Sequence, residues 1–329
     1  MLDREVLDLV SRKDLKSLLC LTACSGALAG LMALSQSSCL AWIIDRAHLR
    51  GAGLEEVSPG LALLFTIFAL RARISWLRER AALNFAFHLE EGLRRDIAER
   101  VIRLGPLKAW EKKAGDKVAI LLEKVEAVGE YFRNYFPLLI TASSLSGVIL
   151  ISSLLLYPVV FLVFSLSTGA GVFLLSLIGR WADGRAQERW NLLGRMNDYL
   201  LDLLEGMATL KMFGRSREHG IKIWRVGEDF RIATMEVLKV AFLSSLVLEL
   251  ITTLGIAMIA VILSLRLLAG NLDFFFAFFF ILLAPEYYLY IKVLSSRYHV
   301  RLAGRAAAQE VRGFLGLPPQ TGISRPHPS

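Results

Sequence analysis

The chain has 329 residues, 55% of them apolar and 21% charged, with a mean hydropathy of +0.51 and a formal net charge of +8. A soluble domain carries about 45–50% apolar and about 25% charged residues, and here the excess is concentrated, because residues 17–44 and 134–179 hold no charge at all. Stretches of about 20 such residues span a bilayer as helices and are not needed in soluble cores. A secreted enzyme, a dinucleotide-binding sheet domain and a nucleic-acid module are thereby excluded, and the reading is an all-α membrane protein that crosses the bilayer several times.

Residues 1–16 mix Asp3, Arg4, Glu5 and Asp8 with Leu2, Val6, Leu7 and Val10, the pattern of an amphipathic helix on a membrane surface rather than of a cleaved signal. A first span covers about 17–44 and carries all three cysteines, Cys20, Cys24 and Cys39. No second Cys or His pair follows at ligand spacing, so they read as small apolar packing residues and not as a metal site. The second span, about 59–77, opens at Pro59, a good first-turn residue. It meets Arg71 after a short apolar stretch, and its helical pattern runs on to about Leu104, where Gly105-Pro106 is expected to stop it. Tyr157-Pro158 divides the long uncharged run into spans at about 134–156 and 158–179. The fifth span, about 240–265, has Glu249 as its single charge. The sixth, about 274–291, contains Pro285-Glu286, and Pro285 is expected to kink it. The aromatic run Asp273–Phe280 at its start reads as a lipid-facing anchor at the outer interface. Ser295–Phe314 is basic with helical spacing, and 316–329 reads as a Pro-rich tail or linker.

Counting Lys and Arg gives the orientation. With six spans and both ends on one side, 35 of the 38 basic residues fall on that side and three, Arg46, Arg50 and Arg266, on the other. The positive-inside rule then puts both termini in the cytoplasm. The two connections on the basic side, 71–133 and 180–239, keep apolar residues at helical spacing, so spans 2 to 5 are expected to continue as rods beyond the bilayer.

Six spans, two long helical hairpins on one side, a surface helix before them and a helical exit behind them resemble the transmembrane domain of an ABC exporter. Longer strings are similar to the CydD-type subunit family of the thiol-reductant exporter of cytochrome bd biogenesis: Leu77-Arg78-Glu79-Arg80, Glu205-Gly206-Met207-Ala208-Thr209-Leu210-Lys211-Met212-Phe213-Gly214-Arg215, Glu228-Asp229-Phe230-Arg231, Thr234–Leu238, Ala241–Ser245, Leu282–Tyr288 and Tyr298-His299. The resemblance runs from about residue 5 to 315. It implies a six-helix exporter domain in a bacterial cytoplasmic membrane, paired with a second, similar half-transporter as a heterodimer. It also implies export of cysteine and glutathione toward the periplasm, with haem as a further linked solute. Such subunits continue into a nucleotide-binding domain, whereas these 329 residues contain no G-x-x-x-x-G-K-[ST] phosphate loop. ATP is therefore expected to act through a separate or missing domain, with no catalysis and no bound cofactor on this chain itself.

The resemblance makes two turns the coupling sites for that domain: Gly105, Pro106 and Leu107, and Glu205, Gly206, Thr209, Leu210, Phe213 and Gly214. An ionisable group inside a bilayer costs roughly 2.5–3.5 kcal/mol or more and so needs a reason. Arg71 and Arg73 offer guanidinium forks to a carboxylate-bearing solute, or else snorkel to the surface. Glu286 lines a cavity or pairs with a span-2 arginine, and Glu249 is the second acidic candidate. Without an ATPase, Glu249 and Glu286 would be the relay of a proton-coupled transporter; a haem-binding assembly factor is the third class. His88 lies on the span-2 extension, and Tyr298-His299 follow span 6. Imidazole and phenolate both ligate haem iron, and the resemblance favours Tyr298-His299.

Overall fold

The computed structural model describes residues 6, 9, 12–49, 51–109, 114–178, 206, 211–213 and 216–316. Every regular element among them is helical: α1 (Arg12–Ile44), ending in a wide π turn at Asp45–Leu49, α2 (Leu54–Ala109), α3 (Ala114–Glu130), a second π turn at Tyr131–Tyr135, α4 (Phe136–Leu156), α5 (described over Pro158–Ile178), α6 (Ser216–Leu268), α7 (Phe274–Ser296) and α8 (Tyr298–Leu315). Among the described residues, six helical stretches are long and apolar enough to cross a membrane. Tyr157, extended at φ −154° and ψ 91°, separates α4 from α5, as a residue before proline prefers.

Two expected boundaries move. Helix α2 begins at Leu54, five residues before Pro59, so Pro59 sits in the second turn. Its missing N–H leaves the Glu55 carbonyl without a helical partner, and the Ser58 hydroxyl donates to that carbonyl at 3.1 Å. At the other end α2 passes through Gly105-Pro106 to Ala109; a proline removes one rung of the helix without forbidding the next turn. The 56 residues of α2 would measure about 84 Å at about 1.5 Å per residue, well over the roughly 30 Å of a hydrocarbon core, so this span runs on as a rod. Of the second expected extension, 180–239, residues 216–239 belong to the helix α6, and 180–205 lie outside the described residues.

The chain divides into two compact units, residues 1–161 with 259–329, and residues 162–258. In the first, α1 is central and packs against α2, α4 and α7. Close approach to α4 depends on Gly26 and Gly30: a Cβ at 26 would lie 2.8 Å from the Thr141 Cα, and one at 30 would lie 2.9 Å from the Val148 Cβ. Small residues four apart are how membrane helices seat closely. Gly60 plays the same part on α2, where a Cβ would meet the Trp42 ring at 2.7 Å, and the Cys39 thiol donates to the Gly60 carbonyl at 3.3 Å.

At the rod end, α2, α3 and α8 gather around Ala86, Leu93, Ile97, Val125, Val128, Tyr131, Phe132 and Val311. Val6 is fully buried in that cluster, so this residue of the amino-terminal segment faces protein rather than lipid. Helix α8 turns Gly304, Ala307, Ala308 and Val311 inward and ends on Gly316 at φ 69°, a left-handed cap suited to glycine. In the second unit, α6 carries the exposed Glu228–Arg231 pair at 2.6 Å, and Leu248 and Thr252 are buried.

The apolar-packing reading of the cysteines holds for Cys39, which is buried, and not for Cys20 and Cys24, which are exposed one turn apart on α1. The aromatic run is likewise only partly a lipid-facing surface. Ala277, Phe279 and Phe280 are buried, and Phe280 lies 6.3 Å from the Tyr157 ring. A helix turns such a run through all directions, so one side of it must meet the bundle.

Candidate functional site

The strongest polar constellation within the spans joins three helices. The Arg71 Nη2 donates to Glu286 Oε1, forming an ion pair between α2 and α7. The Nη1 of the same guanidinium donates to Gln36 Oε1 of α1 at 2.8 Å. Arg71 and Glu286 side chains are each 18% exposed. Glu286 lies 12 residues into α7, about 18 Å along it and so near the middle of a bilayer. Whereas α1 packs on both α2 and α7, those two helices share no extensive packing with each other. The long side chains of Arg71 and Glu286 bridge them.

Each helix supplies its group for a local reason. Glu286 follows Pro285, whose ring leaves the Ile281 carbonyl without its usual backbone donor, while Gln36 is the single amide side chain in the uncharged run of α1. Burying a charge unpaired would be prohibitive, and burying it with an opposite charge and further hydrogen bonds is tolerated. Of the alternatives for Glu286, pairing with a span-2 arginine is what the structure contains. Arg71 is held among the spans by two partners instead of reaching for the surface.

The other sequence candidates are dispersed. Arg73 is exposed two residues further along α2. His88 is exposed on the rod part of α2 and lines a groove of about 540 Å³ with Leu18, Leu21, Phe85 and Asp96. Glu249 lies on α6 in the second unit, its backbone carbonyl accepting from the Thr252 hydroxyl at 2.9 Å. Tyr298 and His299 are both exposed and open α8 just past a break at Arg297, with the Arg301 guanidinium 5.7 Å from the centre of the Tyr298 ring. Of the coupling residues, Gly105, Pro106 and Leu107 form the last turns of α2. Gly206 lies in a half-buried turn and Phe213 is exposed, while Glu205, Thr209, Leu210 and Gly214 lie outside the described residues. Among the described residues no group of three or more His, Cys, Asp or Glu is placed to hold a metal ion.

Sequence reasoning missed Gln36, an uncharged amide that carries no signal until Arg71 is beside it. It also missed the rod-end pair in which Arg133 Nη2 donates to Glu90 Oε1 at 3.1 Å. Glu90 is only 6% exposed, and the Arg133 guanidinium also lies over Phe87 at 5.2 Å.

Residues 18–287 match the family model of the ABC transporter transmembrane region. The chain belongs to that family. It is 31% identical over 325 residues to the glutathione/L-cysteine transport system ATP-binding/permease protein CydD of Haemophilus influenzae, covering 92% of this chain and 53% of that protein. The protein of the same name in Escherichia coli is 30% identical over 312 residues, 90% of this chain and 52% of that one. The corresponding CydC protein of Bacillus subtilis is 26% identical over 311 residues, 94% and 55%. The chain spans about half the length of the curated relatives it matches.

Proposed function

We propose that this chain is the membrane-spanning part of an ATP-driven exporter that moves small thiol reductants, cysteine or glutathione, across a bacterial cytoplasmic membrane with both chain ends on the cytoplasmic side. The observation that carries the reading is the Arg71–Glu286–Gln36 cluster, a polar site among apolar spans. It lies in a chain whose relatives are named for glutathione and L-cysteine transport. Nucleotide is held by a domain outside these 329 residues, which contain no phosphate loop; the end of α2 and the 204–215 segment receive that domain's motion. A second half-transporter of the same family completes the pathway.

The deciding measurement uses inverted membrane vesicles from the native cells. ATP should drive chain-dependent accumulation of labelled cysteine or glutathione, and an imposed pH gradient without ATP should not. Accumulation driven by the gradient alone would establish the proton-coupled mode instead.

A second ligand class has an observation of its own. Tyr298 and His299 are exposed together at the break between α7 and α8, where His299 can offer a ring nitrogen to haem iron. Adjacent helical residues point about 100° apart, so the two side chains do not share one axial position and His299 is the ligand proposed.

A further inference from the structure

An arginine paired with a glutamate among membrane spans can be a pin, or it can be a socket. Three features of this pair go beyond a pin. It bridges two helices that barely pack on each other. Both side chains remain partly exposed, 18% each, so the charges are not sealed in the core. The guanidinium also keeps an independent holder, Gln36 on α1 at 2.8 Å, so Arg71 stays oriented when its bond to Glu286 is exchanged.

We propose that the Arg71–Glu286 pair opens to receive the zwitterionic headgroup of an α-amino acid: the solute carboxylate replaces Glu286 on the Arg71 guanidinium, and the solute ammonium takes the Glu286 carboxylate. This deepens the proposed function and rests on it, since cysteine and glutathione both carry that headgroup. The physical case is charge balance. A simple anion bound to Arg71 would strand the Glu286 carboxylate in a low-dielectric setting, and a simple cation bound to Glu286 would strand the guanidinium; a partner left alone in this way is the costly outcome for a buried pair. A zwitterion converts one ion pair into two and strands nothing. Its two charges stand on one carbon, so a single headgroup reaches both residues. Specificity is then read at the headgroup, and the thiol needs no dedicated contact.

The test is a competition series on the unaltered transporter in inverted vesicles from the native cells, with ATP, counting only uptake of labelled L-cysteine that depends on this chain. Unlabelled L-cysteine should compete at least about ten-fold better than 3-mercaptopropionate, which lacks the ammonium, and than cysteamine, which lacks the carboxylate; ten-fold is the lower end for loss of a charge-assisted hydrogen bond. In Glu286→Gln the discrimination against 3-mercaptopropionate should collapse to within about three-fold, while that against cysteamine persists. Glu286→Asp, which keeps the charge, should restore it. Chain-dependent uptake in which the three thiols compete alike overturns the zwitterion socket and leaves thiol export standing. Full discrimination retained in a well-inserted Glu286→Gln protein overturns it as well. Absence of any chain-dependent, ATP-driven uptake of cysteine or glutathione removes the proposed function, and the socket with it.

Discussion

Glu90 illustrates how one side chain organises the rod end. Its carboxylate accepts from Arg133 at 3.1 Å, stands 3.9 Å from the Arg94 guanidinium, and fits beside α3 because residue 129 is glycine. A Cβ at that position would overlap the Glu90 carboxyl group. Gly129→Ala should therefore displace the carboxylate from Arg133, whose Nε is already buried without a partner. Losing a charge-assisted hydrogen bond at a partly buried site costs about 1.5–3 kcal/mol, which should register as a lower thermal unfolding midpoint of the detergent-solubilised chain. An alanine variant as stable as the parent would show that the carboxyl group relocates at no cost. None of this was legible beforehand, since Glu90 and Arg133 are two charges among many in the rods and nothing in their spacing singles them out. Arg71 and Glu286 were legible because a charge inside an apolar run demands a partner, and the choice between partner and solute needed coordinates.

At the level of elements, the division at Tyr157-Pro158 could be read directly, because an X-Pro step between two apolar runs favours extended backbone. The ends of α2 could not. Serine supplied the bond that Pro59 withholds, and Pro106 cost one rung near an end where unpaired carbonyls are already normal. The seam between α1 and α4 does carry a readable sign: Gly26-Ala27-Leu28-Ala29-Gly30 is a small-residue pattern within an apolar stretch, and Gly26 and Gly30 face α4 there. The junction of α7 and α8 gives the second prediction. Arg297, at φ −91° and ψ 7°, interrupts the helix, and the exposed His299 begins the next. Titrating haem into the solubilised chain should give a Soret shift that His299→Ala abolishes and Tyr298→Phe largely keeps. An unchanged spectrum in the alanine variant would remove His299 from any haem site.

For the molecule as a whole, the 35-to-three distribution of basic residues predicts that segments 105–116 and 204–215 face the cytoplasm. Cysteines introduced singly as Lys112→Cys and Lys211→Cys, in a background freed of the three natural ones, should react with an impermeant maleimide only after the cells are permeabilised. Reaction in intact cells at either position reverses the assignment. The seam at Gly60 bears on how such a chain is made. Span 2 contains Arg71 and Arg73 and exposes most of its surface, which makes it a poor candidate to leave an insertion channel for lipid alone. Span 1 is synthesised first and brings Trp42 against Gly60, the Cys39 thiol against the Gly60 carbonyl, and Gln36 against Arg71. The two helices can thus partition as one hairpin, the earlier acting as a chaperone within the chain for the later, with the arginine solvated by its neighbour's amide before Glu286 has been translated.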